Sequence, residues 1–302
     1  LCDDGIGNLQ SSNGRITCPY HGWQYTSDGR LAKAVQMKGC QNFSPKDFSL
    51  RSLPTEQLGP WIFVNLSPNP EAVSSLNDAQ DTKEVHSLLQ QSHFEQLVWV
   101  GSRSYEIKCN WKVYIDNYLD GGYHVPVAHK GLSENLDLAK YHRRPISNGN
   151  SHPRYYLQAC PPSDVSLKSS SITESRVKGG TDALYIFQYP NICINRYGSW
   201  MDTNIVYPLS ATSCVVHFDW FVEAEYQDNK EYIDSCIQQS EVVQQEDVWL
   251  CERVQRGLES AGYDIGRYAP SLEGGEYMFH SLLNRDYEME VQNPTTTVKV
   301  VK

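Results

Sequence analysis

The sequence lacks any run approaching the roughly 18 to 20 apolar residues that a membrane-crossing helix needs, and it shows no internal repeat. Helical membrane proteins and solenoids are thereby set aside. It is also short of positive charge: 26 Lys and Arg face 36 Asp and Glu, a formal balance of -10. Phosphate backbones are bound through an excess of Lys and Arg, so nucleic acid is an unfavourable partner. The deficit is uneven, because Arg15, Arg30, Lys33 and Lys38 outnumber Asp3, Asp4 and Asp28 over the first forty residues. An acidic partner is expected to dock only there. No cysteine framework is present either. Nine cysteines, an odd number, are scattered over 302 residues, which favours a reducing compartment and buried thiols over a disulfide scaffold. The start, Leu1-Cys2-Asp3-Asp4, has no initiator Met and no signal-peptide layout, and it reads as cut at its N-terminus.

What is present is ordinary globular material, 40% hydrophobic and 21% charged, long enough for two modest domains or one large one. From Arg15 to Leu66, short strand-like runs are broken by Ser27-Asp28-Gly29 and Ser52-Leu53-Pro54 and end in Trp61-Ile62-Phe63-Val64, which predicts a small all-β module. Residues 67 to 85, rich in Ser, Pro, Asn, Asp and Glu, read as a linker, which gives domains of 1–68 and 69–302. In the second, Trp111, Tyr114, Ile115 and Tyr118 recur at helical spacing, and residues 161 to 182 are expected to form a mobile loop. Leu184 to Tyr189, Ile192 to Tyr197, Asn204 to Pro208 and Cys214 to Val222 are rich in β-branched and aromatic residues and predict an antiparallel sheet. A long helix is predicted from about Asn229 to Ser260. The fold class is therefore α+β.

Cys18-Pro19-Tyr20-His21-Gly22-Trp23 sets a thiolate and an imidazole three positions apart in a Gly- and Pro-containing loop, so both can reach one metal centre. Rieske [2Fe-2S] centres use two Cys on one iron and two His on the other. A bare Cys-x-x-His also occurs in zinc loops.

A second constellation lies further on. His124 and His129 are five positions apart, about 140° around a straight helix, and Pro126 between them could bend the chain so that both imidazoles meet. Val243, Asp247, Leu250, Val254 and Leu258 follow at intervals of three and four, which places Asp247 in an apolar stripe while Glu246 and Glu252 point elsewhere. A carboxylate on a buried face needs a partner: a basic residue, a helix end or a metal ion. Two His and one carboxylate with open positions form the facial triad of non-haem Fe(II) oxygenases.

Extended as Cys-Pro-Tyr-His-Gly-Trp-x-Tyr and followed by Asp-Gly, the first motif resembles the Rieske domain of ring-hydroxylating-type oxygenases. Asn110-Trp111-Lys112, Asp116-Asn117-Tyr118-Leu119-Asp120, Tyr123-His124-Val125-Pro126 with His129, Tyr189-Pro190-Asn191, Ile194-Asn195-Arg196-Tyr197-Gly198, Trp200-Met201-Asp202-Thr203-Asn204, and Glu246-Asp247 through Ser260 extend the likeness over nearly the whole chain. Together these blocks resemble the plant choline monooxygenase family. The resemblance implies a Rieske module followed by a helix-grip-like catalytic domain, with Cys18 and His21 on the cluster and His124, His129 and Asp247 on a mononuclear Fe(II). The family's upstream Cys-x-His pair would fall before Leu1, and Cys2 is a weak substitute. A homotrimer is also implied, in which Asp120, beside Asn117 in the catalytic set, joins His21 of the partner subunit to His124. The family acid usually stands three positions before the first His; here it stands four before, with Gly121-Gly122 between to absorb the difference.

The activity so implied is monooxygenation of a quaternary amine. Ferredoxin or a similar reductase would supply electrons, O2 the oxygen, and choline would give betaine aldehyde hydrate. Oxidation of carnitine or glycine betaine is the alternative, which would call on Arg196 for the substrate carboxylate; a degenerate binding homologue is the non-enzymatic reading. A quaternary ammonium is recognised by aromatic faces, at about 0.5 to 2 kcal/mol each. Tyr185, Phe187, Tyr189, Tyr197, Trp200 and Trp220 are the candidates. The compartment follows from the resemblance, plastid stroma in a plant and cytoplasm otherwise.

Overall fold

The computed structural model describes residues 14–66, 79–90, 94–147, 153–164 and 181–292. Cys2, the 68/69 boundary and most of the expected loop at 161–182 lie outside the described residues. The chain forms two compact units, Leu1–Glu56 with Ile62–Val73, and Gln57–Trp61 with Ser74–Lys302.

In the first unit β1 (Arg15–Thr17), β2 (Gln24–Thr26) and β3 (Leu31–Lys33) make a three-stranded antiparallel sheet. The turn between β1 and β2 is closed by the Cys18 N–H donating to Trp23 O at 2.8 Å and the Gly22 N–H donating to Cys18 O at 2.9 Å. Gly22 takes a left-handed φ of 71°, which any side chain would resist. Trp23 anchors this turn by meeting Phe43 and Phe48 edge-on, each at 5.9 Å. A hairpin of β4 (Thr55–Leu58) and β5 (Trp61–Val64) follows.

The second unit is built on a seven-stranded sheet in the order β6-β12-β11-β10-β9-β8-β7, formed by β6 (Leu97–Ile107), β7 (His142–Ile146), β8 (Tyr155–Cys160), β9 (Ala183–Gln188), β10 (Ile192–Tyr197), β11 (Trp200–Ser210) and β12 (Ser213–Glu223). Every neighbouring pair is antiparallel. Period-two alternation turns Tyr156, Phe187, Cys193, Tyr197, Trp200, Phe218 and Trp220 to one face, where they form the core with α2 (Trp111–Leu119) and the long helix. Short helices α3 (Val125–Ala128) and α4 (Lys130–Ser133) follow α2, and the long helix α5 runs Lys230–Leu258.

Three expectations need correction. The segment read as linker to residue 85 contains a helix, α1 (Gln80–Gln90), which buries Val85 and Leu89 and holds Asp81 against Arg154 at 3.0 Å. A terminal helix, α6 (Gly274–Gln292), was not foreseen; Phe279, Leu282 and Leu283 bury one side of it. The buried stripe of α5 consists of Tyr232, Cys236, Ser240, Gln244, Cys251 and Gln255, while Val254 and Leu258 are exposed. Small and polar side chains carry this stripe because they meet α2 and the core rather than open water: Tyr114 donates to Gln244 Oε1 at 2.8 Å and the Asn110 N–H donates to Gln255 Oε1 at 2.8 Å.

Candidate metal centre

Helix α2 begins at Asn110, whose Oδ1 accepts from the Lys112 N–H at 3.1 Å and so satisfies one orphan donor of the first turn. It ends at Asp120, whose carboxylate turns back onto the chain and accepts from the backbone N–H groups of Gly122, Tyr123 and His124 at 2.9, 3.1 and 3.0 Å. Gly121 and Gly122 make the turn with φ of 71° and 77°. A Cβ on Gly121 would run into the Leu272 carbonyl.

His124 caps the start of α3 and His129 its end, so one helical turn separates them. Pro126 stands in the first turn, where its missing N–H costs nothing. It does not bend a continuing helix as the spacing alone suggested, because α2 has already stopped. The two imidazoles meet with Nε2 atoms 2.9 Å apart, and Asp247 Oδ1, delivered from α5, lies 3.0 Å from His129 Nε2 and 3.6 Å from His124 Nε2. Among the described residues this is the one group of three His, Cys, Asp or Glu able to hold a metal ion, with ligand atoms within 4.8 Å of one another.

The other ring nitrogens are held by carboxylates. His124 Nδ1 bonds Asp120 Oδ2 and His129 Nδ1 bonds Glu246 Oε2 at 2.7 Å, so both rings present Nε2 to the centre. Glu246 therefore does not point away, as the helical spacing predicted. Asn117 Nδ2 donates to Asp247 Oδ1 at 2.8 Å and fixes that carboxylate. Electrostatics agree. Burial would lower the His124 imidazole, yet the hydrogen bonds and charges of Asp120 and Asp247 outweigh it and hold His124 up at about 10. His129 is raised against the same burial by Asp247 and Glu246. Burial would raise the Asp247 carboxyl, but His124 and His129 hold it down at about 2. Two imidazoles and an ionised carboxylate converging without another cation among them suit a divalent metal with open positions.

The centre opens on a cavity of about 90 Å³. Its walls include Tyr114, Tyr118, Tyr141, Tyr185, Tyr197 and Phe218, the carboxylates Asp120, Asp202 and Asp247, and no Lys or Arg among the described residues. Of the six aromatic candidates, Tyr185 and Tyr197 line it. Phe187 packs on Phe279, Tyr189 donates to Asp286 Oδ2 at 2.8 Å, Trp200 is fully buried, and Trp220 donates to Ser240 Oγ at 3.4 Å; none of these four lines the cavity. Strand alternation could not separate cavity wall from core, since both share one sheet face. Arg196 is buried, donates to Glu223 at 2.7 Å, and is absent from the wall. Sequence reading also missed Gln244, which lines the cavity with Nε2 unpartnered among the described residues.

In the first unit Cys18 is half-buried and His21 exposed on the tight turn, one sulfur and one imidazole. A Rieske centre takes two of each.

A model of the ring hydroxylating alpha subunit (catalytic domain) matches residues 94–288, and a model of the Rieske [2Fe-2S] domain matches residues 2–45. The chloroplastic choline monooxygenase of Arabidopsis thaliana is 40% identical over 303 residues, covering 96% of this chain and 68% of that one. Four further plant choline monooxygenases are covered over 58% to 63% of their length. The carnitine monooxygenase oxygenase subunit of Escherichia coli (strain K12) is 27% identical over 94% of this chain and 75% of its own. A crystal structure of the quaternary ammonium Rieske monooxygenase CntA with an inhibitor superposes at a TM-score of 0.71, with 25% identity over 90% of this chain and 72% of that one.

Proposed function

The chain belongs to the Rieske-type ring-hydroxylating non-haem iron oxygenases, and we propose that it is the oxygenase part of a monooxygenase for a small quaternary amine, choline foremost. The observation that carries this reading is the small, aromatic-walled cavity with no Lys or Arg among its described lining residues, opening directly on His124, His129 and Asp247.

In this proposal His124, His129 and Asp247 hold Fe(II), which supplies the O2 chemistry that no side chain can. Cys18 and His21 are ligands of the Rieske cluster in this reading. The net reaction takes choline, O2, two electrons and two protons to betaine aldehyde hydrate and water. The chain's own contribution is orientation. Asp120 and Glu246 hold the imidazoles in the tautomer that frees Nε2, Asn117 holds Asp247, and the tyrosine faces receive the methylated ammonium. Gln244 Nε2 is a buried donor able to meet the substrate hydroxyl oxygen. The electron donor is a reduced ferredoxin or similar reductase. The assembly is a homotrimer in which Asp120 joins His21 of the partner subunit to His124. The plastid stroma is the compartment proposed from the chloroplastic relatives. No described helix is long and apolar enough to cross a membrane.

The carboxylated amines carnitine and glycine betaine are disfavoured because their carboxylate would enter a wall with Asp120, Asp202 and Asp247 and no described Lys or Arg to pair with it. A degenerate binding homologue has no reason to keep two carboxylates aimed at the two ring nitrogens. The test is substrate-dependent O2 uptake by the iron-loaded, N-terminally complete protein with ferredoxin and its reductase. Choline should stimulate uptake and yield betaine aldehyde; stimulation by carnitine or glycine betaine alone would overturn the choline assignment, and none by any of the three would overturn the amine reading.

A further inference from the structure

Five side-chain amides line the cavity, those of Asn117, Gln158, Asn195, Asn204 and Gln244, and the first four use their nitrogens inside the protein. Asn117 Nδ2 donates to Asp247 Oδ1 at 2.8 Å, Gln158 Nε2 to the Tyr118 carbonyl at 2.9 Å, and Asn195 Nδ2 to Asp202 Oδ2 at 2.6 Å. With its amide turned to suit its neighbours, Asn204 donates to Asp202 Oδ2 and the Thr203 carbonyl at 3.3 and 3.2 Å. Gln244 differs. It is 2% exposed, yet its Nε2 has no hydrogen-bond partner among the described residues. Its amide is also oriented. Burial holds the Tyr114 phenol well above its ordinary pKa, so the hydroxyl keeps its proton and donates to Gln244 Oε1 at 2.8 Å. The oxygen end of the amide is thereby occupied and the nitrogen end is left as the donor. A buried donor without an acceptor is unfavourable, and an oxygen of a ligand in the cavity that Gln244 lines would supply one.

Ser240, Val243, Gln244 and Asp247 form one stripe of α5 along the cavity. Three residues separate Gln244 from Asp247, about 4.5 Å along the helix axis, so the donor stands beside the metal centre. The aromatic faces lie on another wall: Tyr185 and Tyr197 come from β9 and β10 and meet edge-on at 5.6 Å. An amino alcohol thus finds a separate partner for each end, an amide donor beside the centre and tyrosine faces on the sheet. In choline the carbinol carbon is one bond from the hydroxyl oxygen, and each N-methyl carbon is four bonds away. We propose that Gln244 sets the site of oxidation, holding the substrate hydroxyl oxygen beside Asp247 so that the carbinol carbon, and not an N-methyl carbon, reaches the metal. This rests on the quaternary-amine reading and deepens it. Either outcome consumes O2, two electrons and two protons, replaces one C–H bond by C–OH, and releases the second oxygen atom as water. At the carbinol carbon the product is betaine aldehyde hydrate. At a methyl carbon the C–N bond then breaks, its electron pair going to nitrogen and the hydroxyl proton following, which leaves protonated dimethylethanolamine and formaldehyde.

The test reads products rather than rate. Wild type and Gln244→Leu, iron-loaded and N-terminally complete, turn over choline with ferredoxin and its reductase, and betaine aldehyde and formaldehyde are quantified in the same sample. Their ratio is internal to each sample, so neither iron content nor the folded fraction moves it. Wild type should favour betaine aldehyde, and Gln244→Leu should shift the ratio toward formaldehyde by about tenfold, the weight of one hydrogen bond to a buried donor. Leu leaves the Tyr114 hydroxyl without its acceptor. If Gln244→Leu does not fold, the double variant Gln244→Leu with Tyr114→Phe, which removes both partners together, takes its place with the same expected shift. A variant that turns over choline, however slowly, with the wild-type ratio overturns the inference alone, and so does a wild type that yields mainly formaldehyde. A wild type that forms neither product from choline overturns the choline reading and the inference with it.

Discussion

With His124 Nδ1 held by Asp120 and His129 Nδ1 held by Glu246, each ring has only Nε2 left for a metal. Glu246 should therefore matter although its side chain is 38% exposed and touches no metal position. Glu246→Gln keeps an acceptor but removes the charge that raises imidazole basicity. It is expected to weaken Fe(II) binding about 10- to 100-fold, read by chelator competition, with the far-ultraviolet circular dichroism unchanged. Protons give a second prediction. Nε2 atoms 2.9 Å apart leave room for one proton between them, and His124 is raised to about 10 in the metal-free centre, so at neutral pH one imidazole carries a proton that a metal must displace. The sign follows: a raised imidazole loses its proton only as pH climbs toward its folded value, so affinity falls with falling pH. Between pH 7 and 9 the Fe(II) association constant should rise about tenfold per pH unit, with about one proton released per metal bound. A slope near zero would mean that the free centre is already deprotonated.

The turn from α2 to α3 is the element on which the centre's geometry depends. Gly121 has positive φ and no room for a Cβ beside Leu272, and its carbonyl accepts from Arg143 Nη2 at 2.7 Å. Gly121→Ala combines left-handed strain with a backbone collision. It should cost about 2 kcal/mol or more in urea unfolding and lower iron content at the same time; unchanged stability would show that the turn relaxes freely. This turn also shows what a sequence can disclose. His124, His129 and Asp247 were legible because few residue types bind iron and chance rarely places them in such blocks, and β10 was legible from Ile192 to Tyr197 because its composition is that of a strand. Glu246 was not, since intervals of three and four centred the buried stripe of α5 on Leu250, Val254 and Leu258, whereas Ser240, Gln244 and Gln255 carry it through hydrogen bonds that hydropathy does not record. Asp202 was visible only as part of a motif. Its neighbours in space, Asn195 and Tyr185, are set by the register of three strands, which no local pattern in the sequence states.

At the scale of the whole molecule, the centre joins distant parts of the chain. His129 and Asp247 are 118 positions apart, and the sheet between them supplies the cavity wall. A metal bound there ties the α2–α3 turn to α5, so binding is coupled to the folding of the second unit. The first unit carries Cys18 and His21, the proposed cluster ligands, on a separate turn, and the acidic balance of the whole leaves small cations, rather than polyanions, as the favoured visitors. All of this depends on one metal being held by three side chains. Anomalous diffraction at the iron edge, from crystals of the Fe(II)-loaded protein, tests it directly. The account predicts a peak within bonding distance of His124 Nε2, His129 Nε2 and an Asp247 carboxylate oxygen, with Asp120 and Glu246 behind the rings. A peak elsewhere in the second unit, or iron bound without Asp247, would contradict it.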